Sequence, residues 1–378
     1  LMRKRNMPLR RLFELIPGAL SLLKPCMLMS PLSVAQYLSP EFPPFDLVVF
    51  DEASQIPPWD AVGAIARGQK LVVVGDSKQL PPTNFFQRDP DESELEDEED
   101  LQEMESILDE CIAAGLPRLH LGWHYRSRHE SLIAFSNAHY YDGGLLTFPA
   151  AQREAPGLGV SLAAVPDGVY DRSGTRTNEA EAEALVAELV TRLKAGEGHS
   201  FGVVTFSMAQ QNLVEDLLEA RRREDPSLDP HFDDGTREPV CVKNLENVQG
   251  DERDVILLSV GYGPDAGGRV TMNFGPLNRE GGERRLNVAV TRARRQVRVF
   301  STLRAEQIDL ARTQARGARH LKAFLEYAEQ GTAALGATLT TVPGGADAEA
   351  ASGFEAAVRA ALEAEGYPVA PRVGCSAY

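Results

Sequence analysis

The chain has 378 residues, of which 43% are hydrophobic and 25% charged, so it is long enough for two or three domains with buried cores. Its four cysteines include no C-x-x-C pair, which argues against a disulfide framework or a cysteine zinc site and favours a reducing, cytoplasmic compartment. The basic and apolar start is interrupted by Glu14, Pro17 and Lys24, and no apolar run approaches the ~18 residues that span a bilayer. These features argue against secreted and membrane proteins.

The net charge of −16 argues at first sight against a nucleic-acid partner. Residues 89–105, however, hold eleven acidic residues and no basic one, which leaves −5 for the rest of the chain. We expect this segment to be a solvated loop. The alternative is a mimic of a polyanion that competes with nucleic acid for a basic groove.

Short runs of Val, Leu and Ile alternate with helical patterns along the chain. The predicted strands are residues 47–50, 71–74, 203–206, 255–260 and 297–300. The predicted helices are residues 104–114, 179–194, 208–223 and 286–293. Strands that alternate with helices indicate a parallel sheet covered on both faces, which is an α/β architecture.

The sequence FDLVVFDEASQ (45–55) places two carboxylates directly after a buried strand. Ligands of parallel α/β sheets bind beyond the carboxyl ends of the strands, where Asp51 and Glu52 are expected to lie. Asp51 is a candidate ligand of Mg²⁺, through water, and Glu52 is a candidate base that polarises an attacking water. For this motif on its own, two exposed carboxylates without a catalytic role are the alternative.

A second strand ends in the same way, in LVVVGDSKQLPPT (71–83). Its glycine, polar residues and rigid proline pair favour a loop that carries Gln79 toward a phosphate and places Pro82 and Thr83 along a nucleic-acid strand. In this order and spacing, DEAS and GDSKQLPP resemble motifs II and III of superfamily-1 helicases, in the branch of the nonsense-mediated-decay helicase and its bacterial relatives.

Two further segments resemble parts of the second domain of that family. HYRSRHESLIAFSNAHYYDG resembles the segment that opens this domain, which implies that Tyr125 lies against the nucleotide base and Arg126 at the γ-phosphate. FGVVTFSMAQ resembles motif IV, which implies nucleic-acid contacts from Thr205 and Ser207. Trp123 is expected in the core.

Motifs V and VI follow in the expected order. VKNLENVQGDERDVILLSV resembles motif V, which implies nucleotide contacts from Gln249 and Gly250 and a ribose contact from Glu252. RRLNVAVTRARRQVRVF resembles motif VI, which makes Arg292 the arginine finger. If residues 286–293 are helical, Arg292 is exposed beside a buried apolar stripe, with Arg285 on the same flank. A guanidinium suits the role because it stays charged and offers a planar fork to phosphate oxygens.

The chain contains no Gly-Lys pair and therefore no G-x-x-x-x-G-K-[ST] phosphate-binding loop. We expect a fragment of a longer protein whose P-loop precedes Leu1, and we expect the fragment alone to be inactive. A naturally degenerate protein is the alternative. CMLMSPLSVAQYL (26–38) resembles the strand and turn that lie just before motif II.

The resemblance and the composition together divide the chain into four parts. GFEAAVRAALEAEGYPVAPRVG resembles the opening of a restriction-endonuclease-like domain, although an ordinary amphipathic helix and strand is the alternative. The expected parts are a truncated first RecA-like domain (1–116), a second RecA-like domain (117–330), a Gly/Ala/Thr-rich linker (331–352) and the start of the nuclease-like domain (353–378).

The sequence thus predicts an α/β fold of two RecA-like parallel-sheet lobes (P-loop NTPase fold, the first truncated) and the start of a third α/β domain. The implied activity is that of an ATP-dependent helicase or translocase, with ATP and Mg²⁺ as cofactors, that moves 5′ to 3′ on single-stranded DNA. RNA is possible as a partner instead of DNA, and no membrane is expected. Protein partners are unknown. The subfamily resemblance implies a role in repair or defence. The alternatives are an inactive nucleic-acid-binding scaffold and a loader for a C-terminal nuclease.

Overall fold

The computed structural model describes residues 7–82, 105–148, 150, 157–233, 235–338, 353–367 and 369. The chain divides into two compact units, Leu1–Leu119 and His120–Tyr378, and each is described by itself. The acidic segment predicted at 89–105 lies, apart from Glu105, outside the described residues.

The first unit is built around two parallel strands, β1 (Val48–Phe50) and β2 (Leu71–Val73), so both strands predicted here are confirmed. Its helices are α1 (Leu9–Leu15), α2 (Pro17–Leu23), α3 (Pro31–Tyr37), α4 (Pro58–Ile65) and α5 (Ile107–Ala113). Proline opens α2, α3 and α4, where its missing N–H costs no hydrogen bond. Phe50, Ala61 and Ile107 lie in the small core that holds β1, α4 and α5 together.

The second unit carries two groups of parallel strands. Its strands are β3 (Trp123–His124), β4 (Leu146–Thr147), β5 (Gly159–Ala164), β6 (Phe201–Thr205), β7 (Cys241–Asn244), β8 (Arg253–Ser259) and β9 (Ala293–Ser301). β3 pairs with β4, and the other five form one parallel sheet in the order β5-β9-β8-β6-β7. The predicted β6, β8 and β9 are confirmed, and the α/β architecture is that of a RecA-like lobe. β5 and β7 were not predicted.

Helices cover this sheet. They are α6 (Ser131–Tyr140), α7 (Glu179–Ala195), α8 (Met208–Glu224), α9 (Gly282–Val290) and α10 (Arg316–Gln330). The Asn178 side chain caps α7 by accepting the Glu181 backbone N–H at 3.2 Å, and α7 ends at Gly196 with φ of 66°. Ser207 caps α8 by accepting the Gln210 N–H at 3.2 Å. Both helices therefore begin and end within two residues of their predicted limits.

Trp123 lies at the surface, 49% exposed, so its assignment to the core was wrong. It belongs to β3, which pairs only with β4 and is too short to bury both of its faces. Its ring packs against Phe148, with the ring centroids 5.3 Å apart. The extended segment at the start of the second unit thus presents aromatic side chains to solvent.

The C-terminal segment differs in part from the expected linker. Gly331–Thr338, the first residues of that linker, form a 3₁₀ helix in which Leu335 is 5% exposed. A last helix, α11 (Gly353–Ala364), coincides with the helical pattern after the linker. Residues 339–352 lie outside the described part of the chain. Over the described ranges, no helix has both the length and the apolar character needed to cross a bilayer.

Candidate functional site

Two carboxylates leave the carboxyl end of β1 in the first unit. Asp51 and Glu52 are both exposed, and the Glu52 N–H donates to the Asp51 carboxylate at 2.9 Å. Glu52 adopts the left-handed conformation, with φ of 50° and ψ of 38°, which residues other than glycine rarely adopt. A hydrogen bond from the Ala53 N–H to the Val74 carbonyl, at 2.9 Å, ties this turn to the end of β2.

The loop after β2 lies directly against the turn after β1. A Cβ on Gly75 would lie 3.0 Å from the Ser54 backbone nitrogen, so this approach requires glycine. The Asp76 carboxylate closes the loop by accepting the Lys78 N–H at 2.8 Å and the Gln79 side-chain amide at 3.1 Å. The residues of the two predicted motifs therefore leave neighbouring strands at one edge of the sheet.

Asp51 fits the way proteins hold nucleotide-bound magnesium. Mg²⁺ keeps several waters and takes one or two carboxylates in addition to substrate phosphates, and Asp51 is an exposed carboxylate at a strand end. Within the described ranges, no three His, Cys, Asp or Glu side chains come together as a metal cage. A single exposed carboxylate suits an ion that binds together with a nucleotide.

In the second unit, predicted site residues meet at the amino ends of β8 and β9. Arg126 Nε lies 2.7 Å from Glu252 Oε2, and both side chains are a little over one third exposed. The neighbouring Tyr125 is 85% exposed. The Arg253 N–H donates to the Arg292 carbonyl at 3.2 Å, so the segments that precede β8 and β9 lie side by side. The residues assigned by resemblance to base, ribose and γ-phosphate are thus brought to one edge.

His124 supports this segment without carrying a charge at neutral pH. Its Nε2 lies 2.7 Å from Ser127 Oγ. Burial, with a smaller contribution from the nearby Arg126 charge, lowers the pKa of His124 to about 4. The imidazole therefore acts as a neutral hydrogen-bonding group.

The loop between β7 and β8 carries Gln249 and Gly250. Gly250 has φ of 91°, a conformation open to glycine and strained for other residues. Val248 is buried, and Glu246 accepts a hydrogen bond from Arg285 Nε at 2.6 Å inside the protein. Arg285 is fully buried, so the prediction that it lies on an exposed helix flank was wrong. This pair instead fixes the loop against α9.

Arg292 is 4% exposed, so its predicted exposure was also wrong. The helix ends at Val290, and Arg292 occupies the turn before β9, where helical spacing no longer predicts exposure. Its Nε donates to the Val288 carbonyl at 2.8 Å, and Nη2 donates to Thr291 Oγ1 at 3.1 Å. A contact with a phosphate would require the side chain to leave these partners.

Arg294 is a charged residue of this edge that the sequence analysis missed. Its Nη1 donates to Glu252 Oε1 at 3.3 Å and to Glu238 Oε1 at 2.8 Å, and its Nε donates to Asp254 Oδ1 at 3.0 Å. Arg294, Glu238 and Asp254 also line a cavity of about 510 Å³. Arg294 and its partners are far apart in sequence, so no spacing pattern predicts that they meet. Arg294 itself could have been identified, because it lies two positions after Arg292 at the start of a strand.

The electrostatics of the Arg294 cluster are those of strong ion pairs. The hydrogen bond from Arg294 lowers the pKa of Glu238 to about 2. Burial acts to raise the pKa of Asp254, but hydrogen bonds from Arg294 and from the Ser200 backbone outweigh it, and the pKa is lowered. All three groups are therefore charged throughout the physiological range.

The residues assigned to nucleic acid do not form one open surface. Thr205 is fully buried, and its hydroxyl donates to the Ser207 carbonyl at 2.9 Å. Ser207 is half-buried and caps α8. In the first unit Pro82 is buried, and Thr83 lies outside the described residues. A strand bound at the carboxyl edge of the second sheet would therefore meet Ser207 and backbone atoms before the Thr205 side chain.

A buried polar cluster at the same carboxyl edge was also not predicted. Glu181 is fully buried, and its carboxylate accepts hydrogen bonds from Ser259 Oγ at 2.7 Å, the Gly261 N–H at 2.6 Å and the Thr302 N–H at 3.0 Å. Burial is the main cause that raises the pKa of Glu181 to about 7. The Gln210 amide donates to Ser259 Oγ at 3.1 Å and joins α8 to the cluster.

Two models of protein families, both described as an AAA domain, match residues 29–86 and 104–304. The chain is 34% identical over 295 residues to the uncharacterized ATP-dependent helicase MG140 of Mycoplasma genitalium, which covers 75% of this chain and 25% of that protein. It is 27% identical over 271 residues to the 5′-3′ DNA helicase ZGRF1 of Mus musculus, which covers 68% of this chain and 13% of that protein. The chain therefore spans a quarter or less of the length of these relatives.

Among solved structures, the PRRSV helicase is 16% identical, with 68% of this chain and 35% of that chain covered and a TM-score of 0.33. The family match rests instead on sequence, because the longer AAA domain match takes in more than half of the chain. That match contains Arg126, Glu252 and Arg292, which meet at one sheet edge. The chain belongs to this AAA domain family, among the superfamily-1 helicases.

Proposed function

We propose that the parent-length protein is an ATP-dependent helicase or translocase that moves along single-stranded DNA. The observation that carries this proposal is the contact between Arg126 and Glu252, at 2.7 Å, beside the Arg292 turn. These residues come from three separate segments of the chain, each of which resembles a helicase motif. A second set of motif residues lies together at the carboxyl ends of β1 and β2.

The residues take the following roles in this proposal. Asp51 holds Mg²⁺ through water, and that ion would neutralise charge on the phosphates of ATP. Glu52 accepts a proton from the attacking water, and its left-handed backbone conformation is the kind of local strain that clusters at functional sites. Gln79, held by Asp76, senses the γ-phosphate.

The second unit contributes the remaining nucleotide contacts. Tyr125 stacks on the base, which its 85% exposure permits. Glu252 accepts hydrogen bonds from the ribose, and Gln249 and Gly250 form the adjoining backbone contact. Arg126 and Arg292 stabilise the charge that develops at the γ-phosphate. Alternate gripping of DNA by the two lobes would turn each ATP cycle into a step.

A P-loop upstream of Leu1 would complete this site, and the chain alone is expected to be inactive. The exposure of Val49 (55%) and Val72 (44%) on one face of the β1–β2 pair supports an incomplete first lobe. Strands of parallel sheets are normally covered on both faces, so these valines are the kind of surface that further elements would cover. A Gly-Lys-Thr sequence in the parent protein would rule out the scaffold alternative.

Single-stranded DNA is the proposed substrate, with 5′ to 3′ polarity. The nuclease-like C-terminal segment favours DNA, and ZGRF1 is named as a 5′-3′ DNA helicase. RNA is the competing partner, because no motif residue fixes a contact with the 2′-hydroxyl. A cytoplasmic role in repair or defence belongs to the same proposal, and the role of loader for a C-terminal nuclease is an alternative to it.

ATP hydrolysis by the parent-length protein, measured with and without single-stranded DNA, tests the proposal. We expect strong stimulation by DNA, and we expect Glu52→Gln to lower turnover by about 10²- to 10⁴-fold while ATP still binds, because a general base is lost. Asp60→Asn, which changes an exposed acid at the start of α4, is the matched control. DNA binding without hydrolysis in the unaltered protein would overturn the motor and favour the scaffold.

A further inference from the structure

The side chain of Glu252 is shared between two arginines. Its Oε2 lies 2.7 Å from Arg126 Nε, and its Oε1 accepts a hydrogen bond from Arg294 Nη1 at 3.3 Å. A carboxylate can accept several hydrogen bonds, so its position is set by whichever donors are themselves immobile. The question is which of the two arginines fixes Glu252 and which can leave it.

Arg294 is the immobile partner. Besides Glu252, its guanidinium donates to Glu238 from both Nη atoms, at 2.8 and 2.5 Å, to Asp254 at 3.0 Å and to Ser200 Oγ at 3.0 Å. A guanidinium has five N–H groups, and these contacts account for one each. Its side chain is 20% exposed, which further limits its motion.

Arg126 is the exchangeable partner. Its side chain is 37% exposed, and it follows the highly exposed Tyr125 in a segment that begins the unit. An exposed ion pair contributes little free energy, because water and salt screen it. Glu252 can therefore release Arg126 at low cost while Arg294 still holds its other oxygen.

We propose that Arg294 is a positioning residue of the nucleotide site: it holds Glu252 Oε1, so that Oε2 can exchange Arg126 for the ribose hydroxyls of the incoming nucleotide. This inference rests on the proposed function. Ribose hydroxyls are donors, and a carboxylate fixed from behind is a preorganised acceptor for them. Arg126, once displaced, becomes available to the γ-phosphate.

The contact with Glu252 is not needed to hold the sheet together. Glu238 and Asp254 already pair with Arg294, and Asp254 belongs to β8, beside β9. A lysine at position 294 would keep the charge but lose the planar fork that reaches four partners at once. Position 294 is therefore expected to tolerate lysine poorly.

Calorimetric titration of the parent-length protein with ADP and with 2′,3′-dideoxy-ADP tests the inference. The ratio of the two dissociation constants measures the ribose contact, and we expect about tenfold in the unaltered protein. Arg294→Gln and Glu252→Gln should each bring the ratio close to one, and the double variant should lose no more than either single variant. Arg298→Gln is the matched control, because Arg298 lies on the same strand but contacts Ser161 and Glu188.

Retention of the tenfold ratio in Arg294→Gln, with only a lower melting temperature, would overturn the inference. If Arg294→Gln does not fold, Glu238→Gln loosens Arg294 without removing the Glu252 contact and should lower the ratio part of the way. If the unaltered protein hydrolyses ATP but binds both nucleotides equally, this inference is overturned and the proposed function stands. An unaltered protein that binds neither nucleotide overturns the proposed function and this inference with it.

Discussion

The two edges of the five-stranded sheet are built from opposite kinds of polar network. At the amino edge, Arg126, Glu252 and Arg294 are charged and partly open to solvent. At the carboxyl edge, Glu181 and Gln210 are fully buried and bonded to backbone and hydroxyl groups. Arg126 at the amino edge can exchange partners, whereas groups at the carboxyl edge cannot move without leaving buried polar atoms unsatisfied.

This difference predicts that substitutions at the two edges of the sheet change different properties of the protein. Substitutions at the amino edge should change turnover or nucleotide binding with a modest effect on folding. Substitutions at the carboxyl edge should change the free energy of unfolding with little direct effect on the nucleotide. Three further experiments test this separation, from the largest expected effect to the smallest.

The strongest test of the amino edge is Arg292→Ala in the parent-length protein. We expect ATP turnover to fall by about 10³- to 10⁵-fold, because under the proposed function the charge at the γ-phosphate loses its stabilising guanidinium, while ATP binding largely remains. Steady-state ATP hydrolysis and calorimetric ATP binding measure the two effects. Turnover close to that of the unaltered protein would show that the Arg292 turn is structural.

The carboxyl edge is tested through the pH dependence of folding. Glu181 has a pKa of about 7 in the folded protein against an ordinary value of 4.5, so the folded state binds a proton more tightly than the unfolded state. Its contribution is therefore lost as pH rises from about 4.5 to 7, by about 3 kcal/mol in total. Urea unfolding at pH 5 and pH 7.5 measures this loss as a difference between the unaltered protein and Glu181→Gln, because the buried His124 and His320, with pKa values lowered to about 4, act in the opposite direction in both proteins.

Glu181→Gln should remove the Glu181 contribution alone, so the unfolding free energy of the variant should become higher relative to the unaltered protein as pH rises from 5 to 7.5, and ADP binding should be unchanged. The Glu238 carboxylate does not interfere, because its pKa of about 2 places its own loss of stabilisation below pH 4.5. The same pH dependence in Glu181→Gln and in the unaltered protein would contradict the prediction.

The smallest effect is expected for Arg222→Ala on the outer face of α8. Arg222 pairs with Asp229 at 2.8 Å, with both side chains more than one third exposed, and lies over the Phe232 ring at 4.6 Å. Such contacts contribute about 1 kcal/mol or less. Thermal unfolding should shift slightly and ATP hydrolysis not at all. A larger loss of thermal stability would mean that the exposed contacts of Arg222 contribute more than about 1 kcal/mol.

Sequence patterns predicted the strands and helices well where the residues of one element determine its structure. Five strands and helices α7 and α8 follow from apolar runs and helical spacing. Strand β5 was missed because its sequence GVSLAA is short and only partly apolar. With β7 also missed, the expected sheet lacked both of its edge strands, although its parallel architecture was correct.

Prediction of the exposure and contacts of site residues failed where these depend on segments that are far apart in the chain. The exposure of Arg292 depended on where α9 ends, and Thr291, whose hydroxyl bonds back to the Asn287 carbonyl at 2.9 Å, follows the last helical residue. The partners of Arg294 come from the starts of β8 and β6 and from the segment before β7, which no spacing rule connects. Motif resemblance located the site, and tertiary contacts decide how its side chains are held.

The left-handed backbone at Glu52 has a consequence for engineering. Glycine or asparagine adopts φ near 50° with less strain than glutamate, so either would relieve about 1 kcal/mol at this position. Selection for heat resistance alone would therefore favour replacement of the proposed general base. Selection of thermostable variants has to include turnover as a criterion from the first round.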